Sequence, residues 1–170
     1  MIELLRQRRS IRRYLDRPVE PEKVVLLKEA LLRSPTSRNL KPWRFRVIKD
    51  KALLGKLAQC KPHGAAFLSN APLGIVVCGD LTESDVWIED CAIASILVQM
   101  TAQSLGLGSC WIQVRCRDHD EQHSSEDYIQ QLLDLPEHIK ILSIIAIGYP
   151  EETREPIPVS SLDYEKIKEL

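Results

Sequence analysis

Hydrophobic and polar positions alternate along this chain in two rhythms, and the changes of rhythm divide it into elements. Residues 1–9 predict a short helix that ends near Ser10–Tyr14. Pro18-Val19-Glu20-Pro21 breaks the chain, and Pro21 suits the first turn of a helix running to about Arg33. In that helix Val24, Leu27 and Leu31 recur at helical spacing on one face. Residues 34–42 form a polar loop bounded by prolines. From Trp43 to Ile48, Phe45 and Val47 alternate with Arg44 and Arg46, which predicts a strand. Helices are expected over Lys51–Gln59 and, briefly, over Ala65–Asn70. Leu73–Cys78 is a continuous apolar run and reads as a central strand. The longest helix is predicted over Val86–Leu105; it is apolar on more than one face, so it belongs in the core, in a subunit interface, or in both. Gly106 and Gly108 stop it, and Ser109–Val114 follows as a strand. Ser124 and Asp127 make a capping pattern for a helix to Leu133, and Ile139–Gly148 is a fourth strand. The tail from Tyr149 carries Pro150, Pro156 and Pro158 and is expected to run extended into a final helix at Ser161–Leu170. Strands alternating with helices predict an α/β or α+β layered fold with one sheet, built as a single domain over residues 1–170.

Composition adds a frame to this pattern. A chain of 170 residues with 44% hydrophobic and 28% charged residues supports one globular core and argues against disorder. A net charge of -1 gives no single-signed field for nucleic acid or an anionic membrane. The apolar stretches fall short of the roughly 20 residues of a membrane helix. Five cysteines, none in a C-x-x-C pair, fit a reducing compartment better than a disulfide framework or a zinc site. The expectation is a soluble cytoplasmic protein.

Charge is nonetheless uneven: residues 6–17 hold six arginines against the single acid Asp16. Such a run is either a solvated basic face or an anion site. Familiar reaction centres are missing. Gly106-Leu107-Gly108 precedes a strand rather than a helix and so fails the context of a nucleotide-binding turn. No Gly-x-Ser-x-Gly elbow occurs, and the one histidine pair four residues apart, His119 and His123, lies in a polar loop rather than on a helix. A chain without acid, base or nucleophile clusters either binds without chemistry or leaves chemistry to a cofactor. Arg8, Arg9, Ser10 and Arg12 offer guanidinium forks and a hydroxyl at a helix-to-loop junction, which suits a phosphate dianion. Pro35, Thr36, Ser37 and Asn39 offer small polar groups on a proline-fixed loop, which suits the edge of a planar polar ligand. Ser10 also reads as a helix cap and Asn39 as a turn cap.

The order of these segments resembles the FMN-dependent nitroreductase family, particularly its short members. Arg-Arg-Ser-Ile-Arg-Arg-Tyr (8–14) is similar to its R-x-S-x-R-x-[FY] motif, and Ser-Pro-Thr-Ser-Arg-Asn-Leu-Lys-Pro-Trp-Arg-Phe (34–45) to its A-P-S-x-x-N-x-Q-P-W-x-F motif. Asp90-Cys91-Ala92 resembles D-x-[AG]; Gly106–Ile112 resembles G-L-G-[ST]-x-W; Ile147-Gly148-Tyr149-Pro150 resembles I-G-Y-P. The resemblance implies an α+β sandwich, a mainly antiparallel sheet flanked by helices, in an intertwined homodimer with FMN at the interface. It implies that Arg8, Arg9 and Ser10 hold the FMN phosphate and ribityl chain, with Arg12 beside them. Pro35, Thr36, Ser37 and Asn39 of the other subunit would cover the flavin, and Cys110, Trp111 and Ile112 would run beside its ring. Trp43 and Trp111 read as packing residues rather than flavin stackers. NADH or NADPH would be the electron donor, a nitroaromatic- or quinone-like small molecule the acceptor, and the kinetics ping-pong. Two departures stand out: Lys41 replaces the usual Gln, and only Arg154 follows the last strand where a Lys/Arg pair is usual. The alternative is a non-catalytic flavin-binding or sensor protein.

Overall fold

The structure is a computed structural model that describes all residues from 1 to 170. In chain order it contains α1 (Ile2–Gln7), α2 (Pro21–Leu32), β1 (Trp43–Ile48), α3 (Lys51–Leu57), β2 (Leu73–Asp80), α4 (Trp87–Ser104), β3 (Gly108–Gln113), α5 (Ser125–Leu132) and β4 (Ile139–Gly148), with single 3-10 turns at Ser37–Asn39, Ala66–Asn70, Val159–Ser161 and Tyr164–Lys166. The strands make one sheet in the order β1-β2-β4-β3, antiparallel throughout. The α+β class follows: β2 and β3 run parallel to each other, but β4 lies between them and α4 makes the crossover.

Both faces of the sheet are covered, which explains why β2 and β4 read as largely apolar runs. On one face Val76, Cys78, Ile141, Ile144 and Ala146 meet Leu54 and Leu57 of α3, Leu68, and Ile129 of α5. On the other, Ile75, Val77, Leu142, Ile145 and Ile147 meet Leu27 and Leu31 of α2 and Cys91, Ala94 and Val98 of α4. Ile141 and Leu142 take opposite faces, yet Ile144 returns to the face of Ile141. The register explains this: Val77 pairs with Ser143 and Cys78 with Ile141, leaving Leu142 as a bulge that resets the alternation.

Local signals act as their chemistry dictates. Ser124 and Asp127 form a complete capping box on α5, and Asp50 caps α3 by accepting from Leu53 N–H at 2.7 Å. One expectation fails. The predicted helix at Ser161–Leu170 is absent; only the 3-10 turns at Val159–Ser161 and Tyr164–Lys166 form there. Ile157, Leu162 and Ile167 stay exposed, so the tail has no apolar surface within its own protomer against which a short helix would be stabilised. No helix is long and apolar enough to cross a membrane.

Candidate functional site

After α1 the chain becomes an extended strip, Arg8 to Leu15, laid along the start of β3 and the end of β4. Ser10 bridges Ser109, and Ile11 N–H donates to the Ser109 carbonyl at 3.0 Å. Leu15 N–H donates to the Tyr149 carbonyl at 2.9 Å, and Glu151 N–H to the Arg13 carbonyl at 3.0 Å. Ser10 therefore caps no helix. The strip lies this close because residue 108 is glycine: a Cβ there would sit 2.8 Å from the Cβ of Ile11. Tyr14 is buried, donates its hydroxyl to the Ile11 carbonyl at 2.5 Å, and has its phenol pKa raised by burial.

Glu152 fastens the strip from below. Its Oε1 accepts the backbone N–H groups of Arg12 at 2.7 Å and Arg13 at 3.2 Å. Its Oε2 accepts from Arg154 Nε at 3.0 Å and lies 2.9 Å from Arg154 Nη2. These donors, the two backbone N–H groups first, hold its carboxyl below the usual range. The arginines thereby sort themselves. Arg6 pairs with Glu3, Arg13 with Glu152 and Arg17 with Glu20, Arg9 bonds the Glu155 carbonyl, and Arg154 is tethered to Glu152. Arg8 is half-buried without an acidic partner, and Arg12 lies over the Phe67 ring at 5.9 Å.

β3 is an edge strand, and alternation decides which of its main-chain groups are free. The Ser109 carbonyl faces outward to Ile11, and Val114 N–H faces inward to Leu142. Trp111 and Gln113 therefore also face outward, whereas Cys110 and Ile112 turn their main chain to Ala146 and Ile144 on β4. Lys61 closes the far end of this edge, donating from Nζ to the Gln113 carbonyl at 2.9 Å; burial lowers its pKa. The Trp111 indole donates to Gln113 Oε1 at 2.9 Å. Cys110 lies within the fields of Arg12, Arg8 and Lys61, but burial is the larger effect and its thiol pKa is raised. No cation lies within four residues of Cys110 in sequence, and folding brings three near it.

The second group of expected residues lies on the loop before β1. Pro35 and Ser37 are exposed, and Thr36 Oγ1 accepts Lys41 N–H at 3.0 Å. Arg38, Asn39 and Lys41 all have left-handed backbones, with φ of 53°, 57° and 55°, a conformation that costs a non-glycine residue about 1 kcal/mol or more. Ser37 N–H donates to Asp90 Oδ1 at 2.9 Å, and Arg38 pairs with Asp85. Trp43 is buried and stacks on Phe45, with centroids 5.4 Å apart.

The fold gathers Arg8, Arg9, Ser10, Arg12, Cys110, Trp111, Ile112 and Arg154 at one corner of the sheet. It does not bring Pro35, Thr36, Ser37 and Asn39 there. Trp43 aligns with Gly79 and, through Asp80, with the start of β4, whereas Ser109 aligns with Ile147 and Leu73 at the opposite end. β1 and β3 are opposite edges as well. The loop is tied to the N-terminal turn of α4 and the strip lies beyond its C-terminus. By helical rise the 18 residues of α4 alone separate the two by about 27 Å. Sequence reading misses Lys61, Gln113, Glu152 and Asp90 as site residues; only Asp90 lay within a motif, and none of the four reveals its long-range partner locally.

A family model described as "Nitroreductase family" matches residues 5–65 and 58–149. A protein of Methanothermobacter thermautotrophicus, provisionally named an NADH dehydrogenase/NAD(P)H nitroreductase, is 34% identical over 158 residues, covering 89% of this chain and 78% of the relative. A similarly named protein of Archaeoglobus fulgidus is 32% identical, covering 91% and 87%. The solved FMN-dependent nitroreductase of Clostridium difficile R20291 superposes with a TM-score of 0.97 at 45% identity, covering 99% of this chain and 98% of that one. The chain belongs to the nitroreductase family.

Proposed function

We propose that this protein is an FMN-dependent NAD(P)H oxidoreductase acting as a homodimer on small nitroaromatic- or quinone-like acceptors. The observation that carries the reading is the corner where Arg8, Ser10 and Arg12 stand beside the outward-facing main chain of Trp111. Guanidinium forks and a hydroxyl fit a phosphate, and an open strand edge fits the hydrogen-bonding edge of a flavin ring. The names of similar proteins point the same way: the C. difficile structure is an FMN-dependent nitroreductase, and an FMN reductase [NAD(P)H] of Bacillus subtilis is 27% identical over 173 residues.

When bound, FMN would supply hydride transfer between a nicotinamide and the acceptor, and ping-pong kinetics are expected. The protein binds and orients. Arg8, Arg9 and Ser10 grip the phosphate end, with Arg154 adding charge from its tether on Glu152. Arg12 and Lys61 would add positive field at the open edge of β3, which suits an electron-accepting cofactor. Pro35, Thr36, Ser37 and Asn39 come from a second copy, because the strip and the loop of one protomer stand too far apart to share a mononucleotide. Two features support that second copy: Ile93 and Ile96 remain exposed on α4, and Ile157, Val159, Leu162 and Ile167 remain exposed on the tail. Five free cysteines, four of them buried, fit a reducing cytoplasm.

The test is the visible spectrum of the purified protein mixed with NADH or NADPH under nitrogen. Flavin absorbance that bleaches with either donor and returns on adding menadione or nitrofurazone is expected. A colourless protein refutes the cofactor assignment. A yellow protein that neither donor bleaches favours the flavin-binding sensor instead. Parallel double-reciprocal plots test the ping-pong order, and intersecting plots exclude it.

A further inference from the structure

Asp90 is a buried carboxylate with a single side-chain hydrogen bond. It is 2% exposed, and while Oδ1 accepts Ser37 N–H at 2.9 Å, Oδ2 is buried without a hydrogen-bond partner. A buried polar atom left unsatisfied is costly and calls for an explanation. Its one bond reaches across 53 residues of sequence to the loop in which Arg38, Asn39 and Lys41 hold left-handed backbones. Such a loop persists only where its surroundings over-determine it. The Arg38–Asp85 pair is exposed on both sides and contributes little. Thr36 Oγ1 binds Lys41 within the loop itself. Arg44 Nη1 donates to the Lys41 carbonyl at 3.1 Å, but that bond is exposed. Asp90 is the buried side chain that ties the loop to the rest of the fold, and its place in the first turns of α4 eases the burial of its charge.

We propose that Asp90 is a positioning residue of the flavin site. It clamps the Thr36–Lys41 loop to α4, so that Ser37 and Asn39 are already set in the geometry in which they meet the flavin of a second copy. This rests on the dimeric FMN site proposed above.

The experiment is a double-mutant cycle on FMN affinity, read by fluorescence quenching in the full-length protein. Asn39→Asp keeps the side-chain shape and tolerates the left-handed backbone while removing the amide donors. Asp90→Ala should weaken FMN binding about tenfold, the scale of one charge-assisted hydrogen bond, and Asp90→Asn, which keeps an acceptor for Ser37 N–H, should recover most of that. Asp90→Ala added to Asn39→Asp should cost little more, because both act through one loop. Trypsin cleavage after Arg38 should accelerate in Asp90→Ala, and FMN should slow it less than in the wild type. Fully additive losses, or wild-type affinity in Asp90→Ala, would overturn the clamp. If Asn39→Asp binds FMN normally while Arg8→Ala does not, the loop is no part of the flavin site and the clamp falls with it, leaving the arginine corner intact. Should Asp90→Ala fail to fold, Asp90→Asn carries the cycle: Arg38 cleaved as slowly as in the wild type with affinity lost regardless refutes the proposal.

Discussion

Removing the Glu152 carboxylate should unfasten the arginine strip, and the structure sets the scale of the loss. The side chain is 7% exposed and receives the N–H groups of Arg12 and Arg13 together with two nitrogens of Arg154. A hydrogen bond to a charged group contributes roughly 1.5–3 kcal/mol. Water reaches Arg12, Arg13 and Arg154, which are exposed, and recovers part of each bond. Glu152→Ala is therefore expected to destabilise the protein by about 2–4 kcal/mol, which lowers Tm by roughly 4–16 °C in a chain of this size. Glu152→Gln should fall between, since it keeps one acceptor oxygen but loses the charge. The pH dependence has a definite sign. The folded carboxyl titrates below its unfolded value, so its contribution is complete above about pH 4.3 and is lost as pH falls through the folded value. Urea unfolding of the FMN-free wild type and Glu152→Gln between about pH 7 and pH 3 reads both effects. A wild-type advantage under about 0.5 kcal/mol at pH 7, or one that fails to shrink with acid, refutes the clasp.

Three further outcomes are expected. Gly108→Ala places a methyl 2.8 Å from Ile11 Cβ; it should cost about 1–3 kcal/mol in thermal unfolding and weaken FMN binding, and wild-type affinity would show that the strip is not held by that close approach. Of the five cysteines only Cys116 is exposed, while burial pushes Cys60 up to about 11 and Cys78 up to about 12. Ellman's reagent at pH 8 should therefore titrate one thiol per native chain, and rapid reaction of Cys110 would contradict its burial. Deletion of residues 156–170 should shift sedimentation from dimer to monomer, and an unchanged dimer would show that the apolar tail does not dock on the second copy.

Much of the fold was legible because local rules and packing agree. The capping box at Ser124–Asp127, Pro21 in the first turn of α2, and the glycines after α4 each declare themselves in a few residues. The bulge at Leu142 did not, since a run apolar on both faces carries no alternation from which a skipped residue can be noticed. The tail misled for a related reason: its helical pattern is real, but a short helix needs a surface, and none lies within the protomer. At the site, sequence picked out Arg8, Ser10 and Arg12; Arg6 and Arg17 have glutamates three residues away, but the Glu152 partner of Arg13 is brought in only by folding. Glu152, Lys61 and Asp90 were opaque because each acts on main-chain groups tens of residues away, and a main-chain group leaves no mark on the sequence.

The opposite placement of strip and loop along α4 has a genetic consequence. On the dimeric site proposed above, each flavin site would take its strip from one subunit and its loop from the other. A subunit lacking Arg8 and a subunit altered at Asn39 then assemble, when mixed, into heterodimers with one doubly damaged site and one wholly normal site. Two alleles that are each inactive alone should complement, restoring roughly a quarter of the wild-type sites at random pairing, whereas two lesions in the same half should never do so.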